Sequence, residues 1–287
     1  MWSIGIKGIT ILNKFQKPFS KVVCIFLEGC SLGPNSIDWL FPNMELLRYK
    51  AVNVSHGKRS NSCSKSIETV CRLNPQLKYF EVHLGSGLNM QLLADLSKYL
   101  QSLASLKIYV NSKEDLYYEG DTIHFKSLNY FDINLKLKGD ELFPKIPFSS
   151  DRLKSLEIRT IYRYSDELFK FISNHPTIDT LRFWSYMYID EMNVKKIASV
   201  LPALKIIDFY DEYSFEEVCD CLTEFKLLKR FKFRLKDENK LDDLRVRFGN
   251  EWQISKTIAN FIEMKRTNSN TSIFFPQIIF CCILYEP

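Results

Sequence analysis

The sequence has no C-x-x-C pair, no H-E-x-x-H, no G-x-S-x-G and only four histidines, scattered at positions 56, 83, 124 and 175. Those shortages remove the usual signatures of a zinc site, a metalloprotease helix and a serine-hydrolase elbow. The histidines therefore read as surface or loop residues. Glycine is also scarce, ten in 287 residues, which leaves few of the tight loops that phosphate sites use. "GSGLNM" (85–90) follows a predicted strand, but Met90 stands where a dinucleotide loop needs its third glycine, and "GKRS" (57–60) has no upstream P-loop glycine. No catalytic, cofactor-binding or metal-ligating residue is expected, and the chain does not read as an enzyme.

Charge of one sign is not concentrated anywhere. The formal net charge is +5, and Lys and Arg are spread along the chain instead of gathering into an arm, so nucleic acid is not expected as a partner. Residues 1–12 lack an unbroken apolar core and a small-residue cleavage site, so they do not read as a signal peptide. The apolar run near the C-terminus is broken by Pro276 and is too short for a membrane span. The eight cysteines (24, 30, 63, 71, 219, 221, 281 and 282) read as free thiols; Cys219 and Cys221, two apart on a predicted helix, are poorly placed to share a metal. Cytoplasm or nucleus follows, with the sequons at Asn53 and Asn270 unused.

What the chain does have is a repeat. Hydrophobic residues make up 46% of it, enough for a sizeable core. The series apolar-x-x-apolar-x-apolar starts at Val22, Met44, Leu77, Leu103, Leu128, Leu153, Ile178, Leu204 and Leu228. From Leu77 onward successive starts are 26, 25, 25, 25, 26 and 24 residues apart, a regularity that predicts a stacked array of like units. Amphipathic stretches at 90–100, 165–176, 190–202 and 214–225 predict a helix after each strand, with Ser165 and Ser214 as N-caps. Pro42, Pro75, Pro176 and Pro202 each stand two residues before a start, where a ring that cannot continue a helix turns the chain into the next strand.

The first copy, "VVCIFLEGCSL" (22–32), fits the L-x-x-L-x-L-x-x-N/C-x-L pattern, whereas later copies keep Asn111 but carry Gly85, Lys136 or Tyr186 at that place. Over roughly residues 19 to 250 the chain resembles the degenerate repeats of the F-box/leucine-rich-repeat family, particularly its divergent insect members. The resemblance implies an α/β leucine-rich-repeat solenoid, a horseshoe or arc with a parallel sheet on the concave face and helices on the convex face. It also implies substrate selection for a cullin-based ubiquitin ligase, whose adaptor docks on a helical F-box; residues 1–18 are too few and carry no such helical opening. The alternative is a scaffold or inhibitor solenoid with no ligase link. The expected division is a remnant or cap at 1–18, a repeat domain at 19–264 and a tail at 265–287. Residues 55–66 read as a mobile loop, and the tail reads as a closing strand, an unfolded end or a mispredicted exon.

Side chains alternate along a strand, so residues between the apolar ones face away from the core. The residue four places after each start is Phe26, Arg48, Glu81, Lys107, Asp132, Glu157, Arg182, Asp208 and Lys232. Six of the seven neighbouring pairs after Phe26 have opposite sign, which predicts a charge ladder across the concave face. It either holds an exposed sheet in register or binds a ligand, and the one like-charged step, Asp132 beside Glu157, reads as an acidic spot for a Lys or Arg of a protein partner. On that reading, reversing both to Lys weakens binding without unfolding. Two places on stand His83, Tyr109, Asn134, Arg159, Trp184, Tyr210 and Arg234, and two places before stand Tyr79 and Tyr130. Tyr, Trp and Arg are the residue types that anchor protein interfaces. Arg230, Lys232 and Arg234 read as a solvated final strand or as a seat for an acidic or phosphorylated segment. The expected partner is a protein, bound by a monomer.

Overall fold

The computed structural model describes residues 2–7, 22–28, 44–50, 61–84, 89–135, 145–160, 166–184, 191–257 and 260–267. The chain divides into two compact units, one of Met1–Asn134, Pro147–Arg152 and Pro276–Pro287, the other of Leu135–Ile146 and Leu153–Phe275. Both are α/β, and each of the nine predicted segments is a strand.

In the first unit the strands are β1 (Trp2–Lys7), β2 (Val22–Glu28), β3 (Leu46–Lys50), β4 (Tyr79–His83), β5 (Ser105–Val110), β6 (Ile123–His124), β7 (Tyr130–Leu135, its last residue counted with the other unit) and β8 (Phe148–Ser149). The helices are α1 (Asn61–Leu73) and α2 (Met90–Ser97). The main sheet runs β1-β2-β3-β4-β5-β7, parallel from β1 through β5. The second unit holds β9 (Ser155–Thr160), α3 (Asp166–Ser173), β10 (Thr180–Phe183), α4 (Glu191–Val200), β11 (Ile206–Tyr213), α5 (Phe215–Glu224), β12 (Arg230–Leu235), α6 (Leu241–Phe248), β13 (Trp252–Lys256) and β14 (Phe261–Arg266). Its strands lie in the order β9-β10-β11-β12-β14-β13, parallel as far as β12 and antiparallel beyond.

The three apolar places of every repeat from Leu77 onward are sealed from water, none more than 1% exposed. This is the period-2 pattern of a strand with one face in the core. Five of the starts are fixed by the same β-turn: the amides of Leu77, Leu103, Ile178, Leu204 and Leu228 donate to the carbonyls of Asn74, Leu100, His175, Leu201 and Phe225, at 3.0 to 3.1 Å. Pro75, Pro176 and Pro202 occupy the second place of that turn, where a φ near −65° is required. A second recurring bond ties neighbours together. The carbonyls of Glu45, Lys78 and Ala104 in one unit, and of Lys154, Asp179 and Lys205 in the other, each accept from two successive amides of the following repeat.

Helix ends follow local chemistry. Ser214 and Glu217 close a reciprocal capping box at α5, as expected, and Asn89, not expected, caps α2 by accepting from the Leu92 amide at 3.2 Å. Ser165 lies outside the described residues.

Residues 1–18, expected as a remnant or a cap, contain β1, in parallel register with β2. The structure departs from the expectations at three places. Residues 61–66, read as part of a loop, open α1; residues 55–60 lie outside the described residues. Between β5 and β7 there is no α-helix but a 3-10 turn (Lys113–Leu116) and β6, which pairs with β8. At β6 the buried residues are Ile123 and Phe125, and their spacing of two suits a strand, not a helix. Lastly, Lys265 and Arg266, assigned to the tail, end β14. Residues 268–287 lie outside the described residues.

Replacing Ser214 by Ala removes one half of the α5 capping box and is expected to lower stability by about 1 kcal/mol, measured as the shift in a urea unfolding midpoint at constant slope.

Candidate binding face

Alternation places Tyr79, Glu81 and His83 on one face of β4 and the fully buried Phe80 and Val82 on the other. The same holds along the sheet of each unit, and the face opposite the apolar core carries the predicted charge column. In the first unit Arg48, Glu81 and Lys107 are direct cross-strand partners. Arg48 Nε lies 2.7 Å from Glu81 Oε2, and the same oxygen accepts the Tyr79 hydroxyl at 2.8 Å. Lys107 Nζ forms an ion pair with Asp132 Oδ2 at 3.2 Å. His83 stacks on Tyr109, ring centres 4.1 Å apart and 8° from parallel, with the Lys107 ammonium 5.0 Å from the Tyr109 ring centre.

In the second unit Glu157, Arg182, Asp208 and Lys232 are aligned across β9 to β12. Arg182 joins Glu157 (3.9 Å) to Asp208 (2.8 Å), and Arg230 joins Asp208 (3.4 Å) to Glu263 (2.9 Å). Arg159 closes one end against Glu157 and Lys265 the other against Glu263 at 3.0 Å. Beside this network runs a ring stack. Arg159 lies over Trp184 at 4.6 Å, Trp184 stacks on Tyr210 at 3.9 Å, Tyr210 meets Phe261 edge-on at 4.8 Å, and Arg234 covers Phe261 at 4.5 Å.

The ladder read as exposed is in fact largely buried. Exposure is 3% at Glu81, 0% at Asp132, 4% at Glu157, 6% at Arg182 and 2% at Asp208, because the half-buried flanking columns wall it in. An exposed pair contributes about 0.2–1 kcal/mol, whereas removing one member of a buried pair costs about 3–5 kcal/mol. Burial also alters the acidic spot. Asp132 and Glu157 belong to different units, each has a cation at ion-pair distance within its own unit, and reversing either to Lys would place an ammonium in a buried site. The double reversal is therefore a test of folding and not of binding.

Three further corrections concern neighbours. His175, read as a surface residue, is 1% exposed, its Nδ1 2.8 Å from the Phe171 carbonyl. β12, read as the last strand, is covered on its far side by β14, which supplies Glu263 and Phe261. Arg234 does not lie beside Tyr210 in register. β11 bulges between Asp208 and Glu212, so Arg234 pairs with Glu212 in β11 and with Phe261 in β14. The sequence signal for β14 was the alternation in "FIEMKR", which falls outside the repeat. Of the other expected residues, Tyr130 and Asn134 are half-buried on β7, and Phe26 has no described side chain.

Burial pushes the Tyr79 phenol up, with the Glu81 carboxylate adding to it, and burial does the same for Tyr210 with Asp208 and Glu157 adding. The Cys71 and Cys221 thiols are also pushed up by burial. Among the described residues no cluster of three or more His, Cys, Asp or Glu is placed to hold a metal, and no helix is long and apolar enough to cross a membrane. No family model matches the sequence, and no curated protein matches it significantly.

Replacing Arg182 by Met removes the cation shared by Glu157 and Asp208, leaving Glu157 to Arg159 and Asp208 to Arg230, and is expected to cost about 3 kcal/mol, the low end for breaking a buried pair, read from denaturant melts. The Tyr79 phenol keeps its proton in the folded state to higher pH than in the unfolded chain. Its contribution to stability is therefore present below about pH 10 and lost above it, and a Tyr79→Phe variant should show less of that alkaline loss in thermal melts.

Proposed function

We propose that the chain is a protein-recognition module, a leucine-rich-repeat solenoid that binds through the polar, concave face of its sheet. What supports this is the ring stack of the second unit: Trp184, 38% exposed, is held between Arg159 and Tyr210. Such rings bring large contact area with little conformational freedom left to lose, which is what an anchor residue needs. The His83/Tyr109 pair is the corresponding feature of the first unit. The charge column contributes differently from the flanking residues. From Arg48 to Asp208 its members pair with cations or carboxylates of the same face, so its part is to hold the strands in register while Tyr79, His83, Tyr109, Arg159, Trp184 and Tyr210 present the contact surface.

The likeness to F-box/leucine-rich-repeat proteins makes selection of a substrate for a cullin-based ubiquitin ligase the leading setting, with a scaffold or inhibitor acting by occupancy as the alternative. Capture of the cullin adaptor by the product of the longest transcript distinguishes the two. For the face itself, Trp184→Ala and Tyr109→Ala should each reduce affinity-captured or proximity-labelled partners about tenfold or more with unchanged melting, in line with the about 2 kcal/mol typical of an interface anchor. Undiminished capture by both variants would sink the reading.

A further inference from the structure

The second unit's face has more cations than its network uses. Lys232 is aligned with Asp208 on one side and Glu263 on the other, so its register offers it two carboxylates. Both turn instead to Arg230, and Asp208 also to Arg182. Among the described residues Lys232 is left with the Tyr210 hydroxyl at 3.4 Å and the rings of Tyr210 and Phe261, each 4.9 Å away. Arg234 lies over Phe261, forms no ion pair with any described residue, including its register partner Glu212, and has a buried Nε without a hydrogen-bond partner. Alternation puts Lys232 and Arg234 on the same side of β12, two residues apart, both half-buried and both against Phe261.

We infer that Lys232 and Arg234 form a seat for an anionic side chain, carboxylate or phosphate, carried by a segment of a partner protein. Two half-buried cations without a counter-ion among the described residues raise the energy of the free protein, and an anion that reaches them forms charge-assisted hydrogen bonds in a partly water-excluded site. The rings say what kind of molecule carries the anion. Trp184 has Arg159 over its ring and Tyr210 stacked on it, and Tyr210 meets Phe261 edge-on. Rings already engaged by one another and by cations are poorly placed to take a nucleobase, which disfavours a nucleic acid, while Trp184, 38% exposed, remains for an apolar peptide side chain. The seat rests on the reading that this face binds protein, and it adds which end of the face is used and which charge it selects.

The test uses the full chain and three fluorescein-labelled peptides of one scaffold, bearing Asp-Glu pairs, phosphoserines or neutral Gln at the same places, with a single-stranded oligonucleotide of equal charge alongside. Anisotropy titrations should show the Asp-Glu peptide, the phosphoserine peptide or both binding about tenfold tighter than the Gln peptide, with affinity falling as salt rises. Which of the two binds assigns carboxylate or phosphate. Lys232→Gln/Arg234→Gln should abolish that preference, and Lys232→Arg, which keeps the charge, should retain it even if the double variant melts early. Equal binding of all three peptides, an unchanged preference in the double variant, or tighter binding of the oligonucleotide would overturn the seat. Loss of captured partners with Trp184→Ala but not with Lys232→Gln/Arg234→Gln would overturn the seat and leave the protein-binding reading standing; loss with neither would remove both.

Discussion

A carboxylate taken out of water needs a cation within a few ångströms, and in this protein that need is met chiefly across strands. Glu81 reaches Arg48, Asp132 reaches Lys107, and Asp208 is held between Arg182 and Arg230. Parallel pairing sets partners about 4.8 Å apart, close enough for direct contact, so correct register is the condition under which these side chains can be buried at all. A slip by one residue would turn Glu81, Glu157 and Asp208 toward the apolar side, at a cost of several kcal/mol for each unpaired charge. Hydrophobic burial of the repeat leucines and phenylalanines supplies most of the driving force; the ion network selects one alignment from the several that apolar alternation would tolerate.

The same arrangement bears on the proposed role of the face. Because the column from Arg48 to Asp208 is paired within the face, it is poorly suited to seek out a ligand charge, and on the proposed reading recognition falls to the flanking rings and to the few cations outside the network. Their geometry is rigid. Arg159, Trp184, Tyr210, Phe261 and Arg234 form a stack with a guanidinium at each end, and the β11 bulge together with the antiparallel β14 positions its last members. A bulge lengthens and twists the strand locally, so the regular repeat gives way where the face becomes most basic.

Much of the architecture was legible because it is local or periodic. Nine strand positions, four helices, the Ser214 cap and the proline joints follow from residues within one repeat, and the identities of the charge column and of its ring-bearing neighbours follow from alternation. What escaped was of two kinds. Segments without the repeat's spacing, such as β6 and the opening of α1, carry no periodic signal to read against. Elements added across the sheet, above all β14, are placed by contacts far apart in sequence.

The sequence by itself determined that strands and helices alternate, which side chains share a face, and that opposite charges meet at successive positions, since a period of two and a repeat near 25 residues are properties of the chain. Only the tertiary structure decided how deep those charges lie, which cation each carboxylate takes, and that Glu263 and Phe261 complete the far end. Burial and partner choice depend on the side chains that neighbouring strands bring alongside, and no spacing along one chain encodes how closely those walls stand.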